Sequence, residues 1–277
     1  MITNIIIKHN NLLNSNNIQE IAELKDLSYG TLDLFNCINY FETNDKTILF
    51  DKNNIGRGIE LFINNDNIEF SLNLPSSIYE IKLLYSLIKN ILIKLNANEF
   101  YKDNKLSNIS NIEKYIDEDI NNSINALQMI NEKVEKNRFY TLVNAVNPID
   151  LSIKEMKEIN YDLKSFGKLI NNLQSVDAIY TTPQLLNLND LDTTIAIYVL
   201  IENTNSIIPN KVFNLSVDKK TIKNFYVLLS GIHFIRFEEF INNVELKYYD
   251  YNHSIIKLSR SKIDCLINNL EIDISAN

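Results

Sequence analysis

The 277-residue sequence predicts an α+β fold, an antiparallel sheet or sheets with packed helices, built as two similar halves. Three observations predict it. Ile68, Phe70, Leu72 and Leu74 alternate with Glu69, Ser71 and Asn73, the period-two pattern of a half-buried strand. Immediately afterwards Ile78, Ile81, Leu84, Tyr85, Ile88, Ile91, Leu92 and Leu95 recur at spacings of three and four, the pattern of a helix with one buried face. The same order then returns. Phe213-Asn-Leu-Ser-Val-Asp218 alternates and leads into Ile222, Phe225, Tyr226 and Leu229, which have helical spacing.

The elements follow in order. Ile5–Ile7 reads as a strand, Ile18–Lys25 as a short helix and Thr47–Phe50 as a strand. Ile59–Ile63 and Ile68–Leu74 form a hairpin about the polar residues 64–67. Pro75 stops the second strand, because it supplies no N–H to a ladder. Ser77 and Glu80 then have the spacing of a capping box, in which the hydroxyl accepts from a free helical N–H and the carboxylate accepts back from the cap. A second helix runs from Ile112 to Val134 on the stripe Ile112, Ile116, Ile120, Ile124, Leu127, Ile130 and Val134. Within it Asp117, Glu118 and Asp119 are expected to lie mostly on a solvated face. A third helix starts after Pro148 with Ser152 and Glu155 as its capping box and continues to Leu173. Val176–Tyr180 and Thr194–Ile201 read as strands, the latter apolar on both faces and so central in its sheet. A hairpin about Tyr251–Ser254 and a helix over Ser259–Leu270 complete the chain. The division expected is an N-terminal half at 1–105, a connecting helix at 106–138 and a C-terminal half at 139–277, with one continuous domain as the alternative.

Composition limits the function classes. Hydrophobic residues are 45% and charged residues 22%, which suits a folded core. Lys and Arg number 27 against 35 Asp and Glu, for a net charge of −8. The arginines Arg57, Arg138, Arg236 and Arg260 are scattered, so nothing here neutralises a phosphate backbone and no nucleic-acid partner is expected. Asn, Ile and Lys are used heavily, as low-GC codon usage would give, so Asn clusters count only as turn signals. The N-terminus has no secretory pattern. The longest apolar run, Ile195–Ile201, falls far short of the ~18–20 residues that span a bilayer, so no membrane role is expected. Two cysteines, Cys37 and Cys265, are too few for a disulfide framework and fit the cytoplasm.

Gly56-Arg57-Gly58 holds two of the five glycines. A phosphate loop would need converging N–H groups at a helix start, but a strand pattern follows Gly58. Both glycines are therefore read as supplying positive φ or a bulge, and Arg57→Ala as nearly silent. Arg57 itself remains a binding candidate, toward an acidic partner or an internal carboxylate. His9, His233 and His253 are too dispersed for a metal signature, and no metal or cofactor is expected. His233 stands five residues before Glu238 and Glu239, and His253 three after Asp250, so either could meet a carboxylate in space. Glu238 and Glu239 are kept as a pair that the flanking Phe234-Ile-Arg-Phe237 could partly bury. No catalytic motif is present and no catalytic residue is assigned. Ser230-Gly231 reads as a helix terminus.

Alternation over Val244–His253 puts Leu246 and Tyr248 on one strand face, and Lys247, Tyr249 and Tyr251 on the other. Burying both faces would bury Lys247, so an accessible tyrosine is expected, and Tyr249 and Tyr251 are the candidates. Exposed tyrosine offers large contact area at low entropy cost.

Leu27-Ser-Tyr-Gly30, Ile55-Gly-Arg-Gly-Ile59, the strand-Leu74-Pro75-helix order and Gln174-Ser-Val-Asp-Ala-Ile-Tyr180 together resemble an uncharacterised bacterial family, domain-of-unknown-function family 4299. The resemblance implies a bacterial protein of comparable length and carries over no activity, cofactor or site. The residues themselves point to a non-catalytic, soluble binding or interaction protein of the bacterial cytoplasm with another protein as partner. The sequence does not indicate its oligomeric state. The alternative is an enzyme or small-ligand binder with a pocket between the two halves.

Overall fold

The alternating segments of the first 110 residues assemble into one antiparallel sheet. In the computed structural model, which describes residues 1–8, 17–40, 47–64, 66–188, 193–213, 215–217, 220–222 and 224–272, its elements are β1 (Ile2–Lys8), α1 (Asn17–Glu23), β2 (Ser28–Leu32), β3 (Ile38–Asn39), β4 (Thr47–Phe50), β5 (Ile59–Ile63), β6 (Asn67–Asn73), α2 (Ile78–Lys94), β7 (Glu99–Lys102) and β8 (Lys105–Asn108). The eight strands run in the order β3-β2-β4-β5-β6-β1-β7-β8, each antiparallel to its neighbours. β1 thus closes the gap between β6 and β7. β6 alternates as expected: Ile68, Phe70 and Leu72 are fully buried and their polar neighbours half-buried. These residues pack with Ile5, Ile7, Ile59 and Leu61 against Ile81, Leu84, Tyr85, Ile88 and Leu92 of α2.

α3 (Ile112–Asn137), β9 (Phe139–Leu142), β10 (Ile149–Ser152), α4 (Ile153–Ile159) and α5 (Leu163–Gln174) complete this unit. Two differences from the sequence reading occur here. α3 packs against α2, α4 and β9 inside the unit, and the chain divides not around 106–138 but at Val176/Asp177, into Met1–Val176 and Asp177–Asn277. The single helix expected after Pro148 is a strand and two helices. Both capping boxes form, at Ser77 with Glu80 and at Ser152 with Glu155. However, Asn160 (φ 47°) and Tyr161 (φ 58°) are left-handed, and Asp162 caps a new helix by accepting from the Ser165 N–H at 2.7 Å.

The second unit contains β11 (Ile179–Tyr180), β12 (Gln184–Leu188), β13 (Thr193–Leu200), β14 (Asn205–Pro209), β15 (Leu215–Val217), β16 (Lys220–Ile222), β17 (Asn224–Leu229), β18 (His233–Arg236), α6 (Phe237–Asn242), β19 (Lys247–Tyr248), β20 (His253–Lys257) and α7 (Arg260–Leu270). They form a β12-β13-β17-β18 sheet, a β11-β14-β20-β19 sheet and a β15-β16 pair. The β13/β17 and β11/β14 pairings are parallel and the others antiparallel. β13 is central and buried on both faces, as its sequence predicts. Ala196, Tyr198 and Leu200 face one cluster with Phe237 and Phe240, while Ile195 and Ile197 face another with Tyr226.

The helix expected over 222–229 is instead β16 and β17. Phe225-Tyr-Val-Leu-Leu229 is an unbroken apolar run, which fits a helix and a doubly buried strand equally well by periodicity. Ser230 (φ 52°) and Gly231 (φ 78°), read as a helix terminus, form the left-handed turn of the β17–β18 hairpin. The first unit's strand-then-helix order is therefore not repeated here, and the fold is α+β without that sign of duplication. Among the described residues no helix is long and apolar enough to cross a membrane.

Candidate functional site

The Gly56-Arg57-Gly58 loop binds an anion, and the anion is the chain's own. The Glu80 carboxylate accepts from the N–H groups of Arg57 (2.6 Å) and Gly58 (3.0 Å) through one oxygen, and from the Ser77 N–H and hydroxyl (3.1 Å each) through the other. The glutamate of the α2 capping box is thereby also the ligand of the loop. Only Gly58 of the pair has positive φ (80°). Gly56 is required sterically, since a Cβ there would collide with the Glu80 carboxylate. The Arg57 side chain turns inward, donating from Nε to the Val143 carbonyl (3.1 Å) and from Nη1 to the Pro75 carbonyl (3.2 Å). Burial brings its pKa down to about 10, opposed by the charges of Glu80, Tyr140 and Glu60. A buried, bonded guanidinium is not silent, so the expectation for Arg57→Ala is reversed: removal would strand two carbonyls.

The acidic run of α3 also differs from its expected place. Asp119 is fully buried, accepting from Lys102 Nζ (3.1 Å), the Tyr85 hydroxyl (2.7 Å) and the Thr3 hydroxyl (3.0 Å). Burial and then the Asp119 charge raise the Tyr85 pKa. For Lys102, burial works downward, but Asp119 and Asp103 outweigh it and the net shift is upward. This cluster ties β1, α2, β7 and α3 together.

In the second unit the β19–β20 turn is held from beneath. Asp250 Oδ1 accepts from the N–H groups of Asn252 (3.0 Å) and His253 (2.8 Å) and lies 2.9 Å from His253 Nδ1. His253 Nε2 lies 2.8 Å from the Tyr180 hydroxyl. The ring is thus held at both nitrogens, by the carboxylate at Nδ1 and by the phenol at Nε2. Asn210 grips the other side of the turn: its N–H donates to the Asn252 carbonyl (2.7 Å), and its side chain accepts from the Ser254 hydroxyl (2.6 Å). Asp250 and His253 are buried, whereas Tyr248 and Tyr251 are 46% and 36% exposed. Tyr249, expected beside Tyr251 on one face, is buried instead. The strand ends at Tyr248, so alternation stops before it.

Glu238 and Glu239 lie in the first turn of α6, which Arg236 precedes, and all three line an open cleft of about 260 Å³ with Val212, Asn224, Phe225, Tyr226 and Phe237. His233 is not in its lining. That ring sits 2.7 Å from Glu271 through Nδ1, a carboxylate far along the chain and not the Glu238-Glu239 pair. His9 lies outside the described residues. The sequence reading missed Tyr248 and Tyr180, although Asp250 followed by Asn252 and His253 is a turn-forming spelling that could have placed the brace.

The fold is thus that of an α+β protein with an antiparallel-dominated pair of units and a braced tyrosine turn. The chain matches the family described as domain of unknown function (DUF4299) over residues 2–266 and belongs to it. No curated protein and no solved structure matches the chain.

Proposed function

We propose that this protein is a non-catalytic interaction protein of a reducing cytoplasm that presents Tyr248 and Tyr251 to a basic protein partner. The exposure of these two rings on a turn braced by Asp250, His253 and Asn210 carries the reading. A turn fixed before encounter loses little entropy on binding, and tyrosine supplies area with few rotors. The net charge of −8 favours a basic partner over nucleic acid. Two free cysteines support a reducing compartment. Glu80, Arg57, Lys102 and Asp119, all buried, are engaged in holding elements together, which supports a role without catalysis.

The test compares immobilised wild-type protein with the Tyr248→Ala/Tyr251→Ala double variant in cell extract. A basic protein held by the wild type, released by rising salt and absent from the variant is the expected result. Equal retention by both proteins sinks the reading. A second reading, an enzyme or small-ligand binder, draws on the cleft bearing Arg236, Glu238 and Glu239. That cleft is under the usual ~300–1,000 Å³ of ligand sites, and an open hollow of about 770 Å³ lined by Ile232, Phe234, Ile267 and Glu271 gathers no such group of charges, which favours the first reading. A native mass exceeding the denatured mass would reverse that preference.

A further inference from the structure

β12 is an outer strand of the β12-β13-β17-β18 sheet: it pairs with β13 on one side and, among the described residues, with nothing on the other. The opposite edge is treated differently, since Ile272 bridges to Phe234 of β18 and donates its N–H to the Phe234 carbonyl at 2.9 Å. An open edge presents a row of N–H and C=O groups, and chains that keep one in water usually guard it with a charge or a proline. Gln184-Leu185-Leu186-Asn187-Leu188 itself has neither, the nearest being Pro183 before it and Asp190 after it.

Leu185 and Leu186 point to opposite faces of the sheet, yet they are 42% and 43% exposed. A helix or loop laid on one face would cover one of them. A strand added in the plane of the sheet reaches the flank of both. Leu185 is in register with Ala196 and then Phe225, and Leu186 with Ile195 and then Asn224, so an added strand prolongs an apolar row on one face and an apolar pair on the other.

Charge selects the occupant. A basic partner strand finds no carboxylate on this segment, whereas a second copy brings the same uncharged segment. Two chains of net charge −8 can therefore meet here without like charges across the strand pair. About a two-fold axis at Leu186, antiparallel pairing sets Leu186 against Leu186 and Leu185 against Asn187, with no charge facing a charge. We infer that β12 is a homodimer contact, through which two copies join their four-stranded sheets into one continuous sheet.

The inference is independent of the tyrosine turn, and light scattering of the full chain over a concentration series tests it. The wild type should pass reversibly from monomer to dimer, because one short strand gives a small interface. Leu186→Lys should move the midpoint upward by about tenfold or more with an unchanged circular dichroism spectrum. Leu186→Cys in a Cys265→Ser background should form a disulfide-linked dimer under mild oxidation, since the two-fold axis brings the residue to its own copy. A wild type that stays monomeric to its solubility limit overturns the inference. So does a dimer whose midpoint Leu186→Lys leaves in place and which Leu186→Cys does not cross-link. Either failure leaves the partner-capture result of the tyrosine variants standing.

Discussion

In the first unit the Glu80 carboxylate gathers the N–H groups of Arg57, Gly58 and Ser77, and it is buried together with the loop it holds. In the second unit Asp250 gathers those of Asn252 and His253 and is buried beneath a turn whose Tyr251 reaches solvent. The device is the same, a carboxylate replacing backbone partners that an irregular segment cannot find in a ladder. What differs is the use made of the side chains it leaves over. Arg57 folds inward onto two carbonyls and becomes part of the core, while Tyr251 points outward. Rigidity in a loop is therefore not by itself a sign of function. Whether its side chains turn into the core or toward solvent separates a strut from a presenting surface.

Removing the first carboxylate should have the largest effect. Glu80→Ala leaves the buried Arg57 guanidinium and three N–H groups without their anion, and it should lower stability by about 3–5 kcal/mol in urea unfolding. A loss under about 1 kcal/mol would mean that the loop holds itself and would break the comparison. Gly56→Ala should follow at about 1–3 kcal/mol, because its Cβ needs the space the carboxylate fills. In a Glu80→Ala background most of that penalty should vanish, and a double-mutant cycle reads the coupling directly. Asp250→Asn should cost about 1–2 kcal/mol, since an amide oxygen still accepts from the turn but without charge. Its sharper effect should be weaker partner capture, as the turn loosens beneath Tyr251.

A third carboxylate of this kind extends the comparison to reactivity. Asp33 accepts from the N–H groups of Phe35 (2.8 Å) and Cys37 (2.9 Å), and the half-buried Cys37 thiol is pushed up to about 12 by burial and then by the Asp33 charge. A raised thiol pKa keeps the proton on through neutral and mildly alkaline pH. Cys37 should thus alkylate on the order of a hundredfold or more slowly than an ordinary exposed thiol, with exposed Cys265 labelled first in peptide mapping. Equal labelling would show the Asp33 turn to be open.

The seam from β6 to α2 was legible because every signal in it is local: alternation, a proline, a capping box and a 3.6-residue stripe within about thirty positions. The capping box showed Glu80's first task and could not show its second, because Arg57 and Gly58 lie more than twenty residues upstream. Asp119 was assigned to water for the same reason. Its partners Thr3, Tyr85 and Lys102 come from three other elements, and no spacing within α3 announces them. β17 was misread because five consecutive apolar residues carry no period. For the site, Tyr251 was legible as an exposed ring. Tyr249 was not, since alternation describes a strand only while the strand lasts, and β19 has two residues.

The Glu80 contact also joins two events that the chain order keeps apart. Residues 51–58 contain no described helix or strand, so they look like a segment that opens at random. Yet the amide protons of Arg57 and Gly58 point at an oxygen whose position depends on the first turn of α2. They can meet solvent deuterium only when that turn opens. In a hydrogen-exchange experiment this stretch should therefore report with the time constant of the helix, and its slow exchange would mark a loop that opens as part of the core.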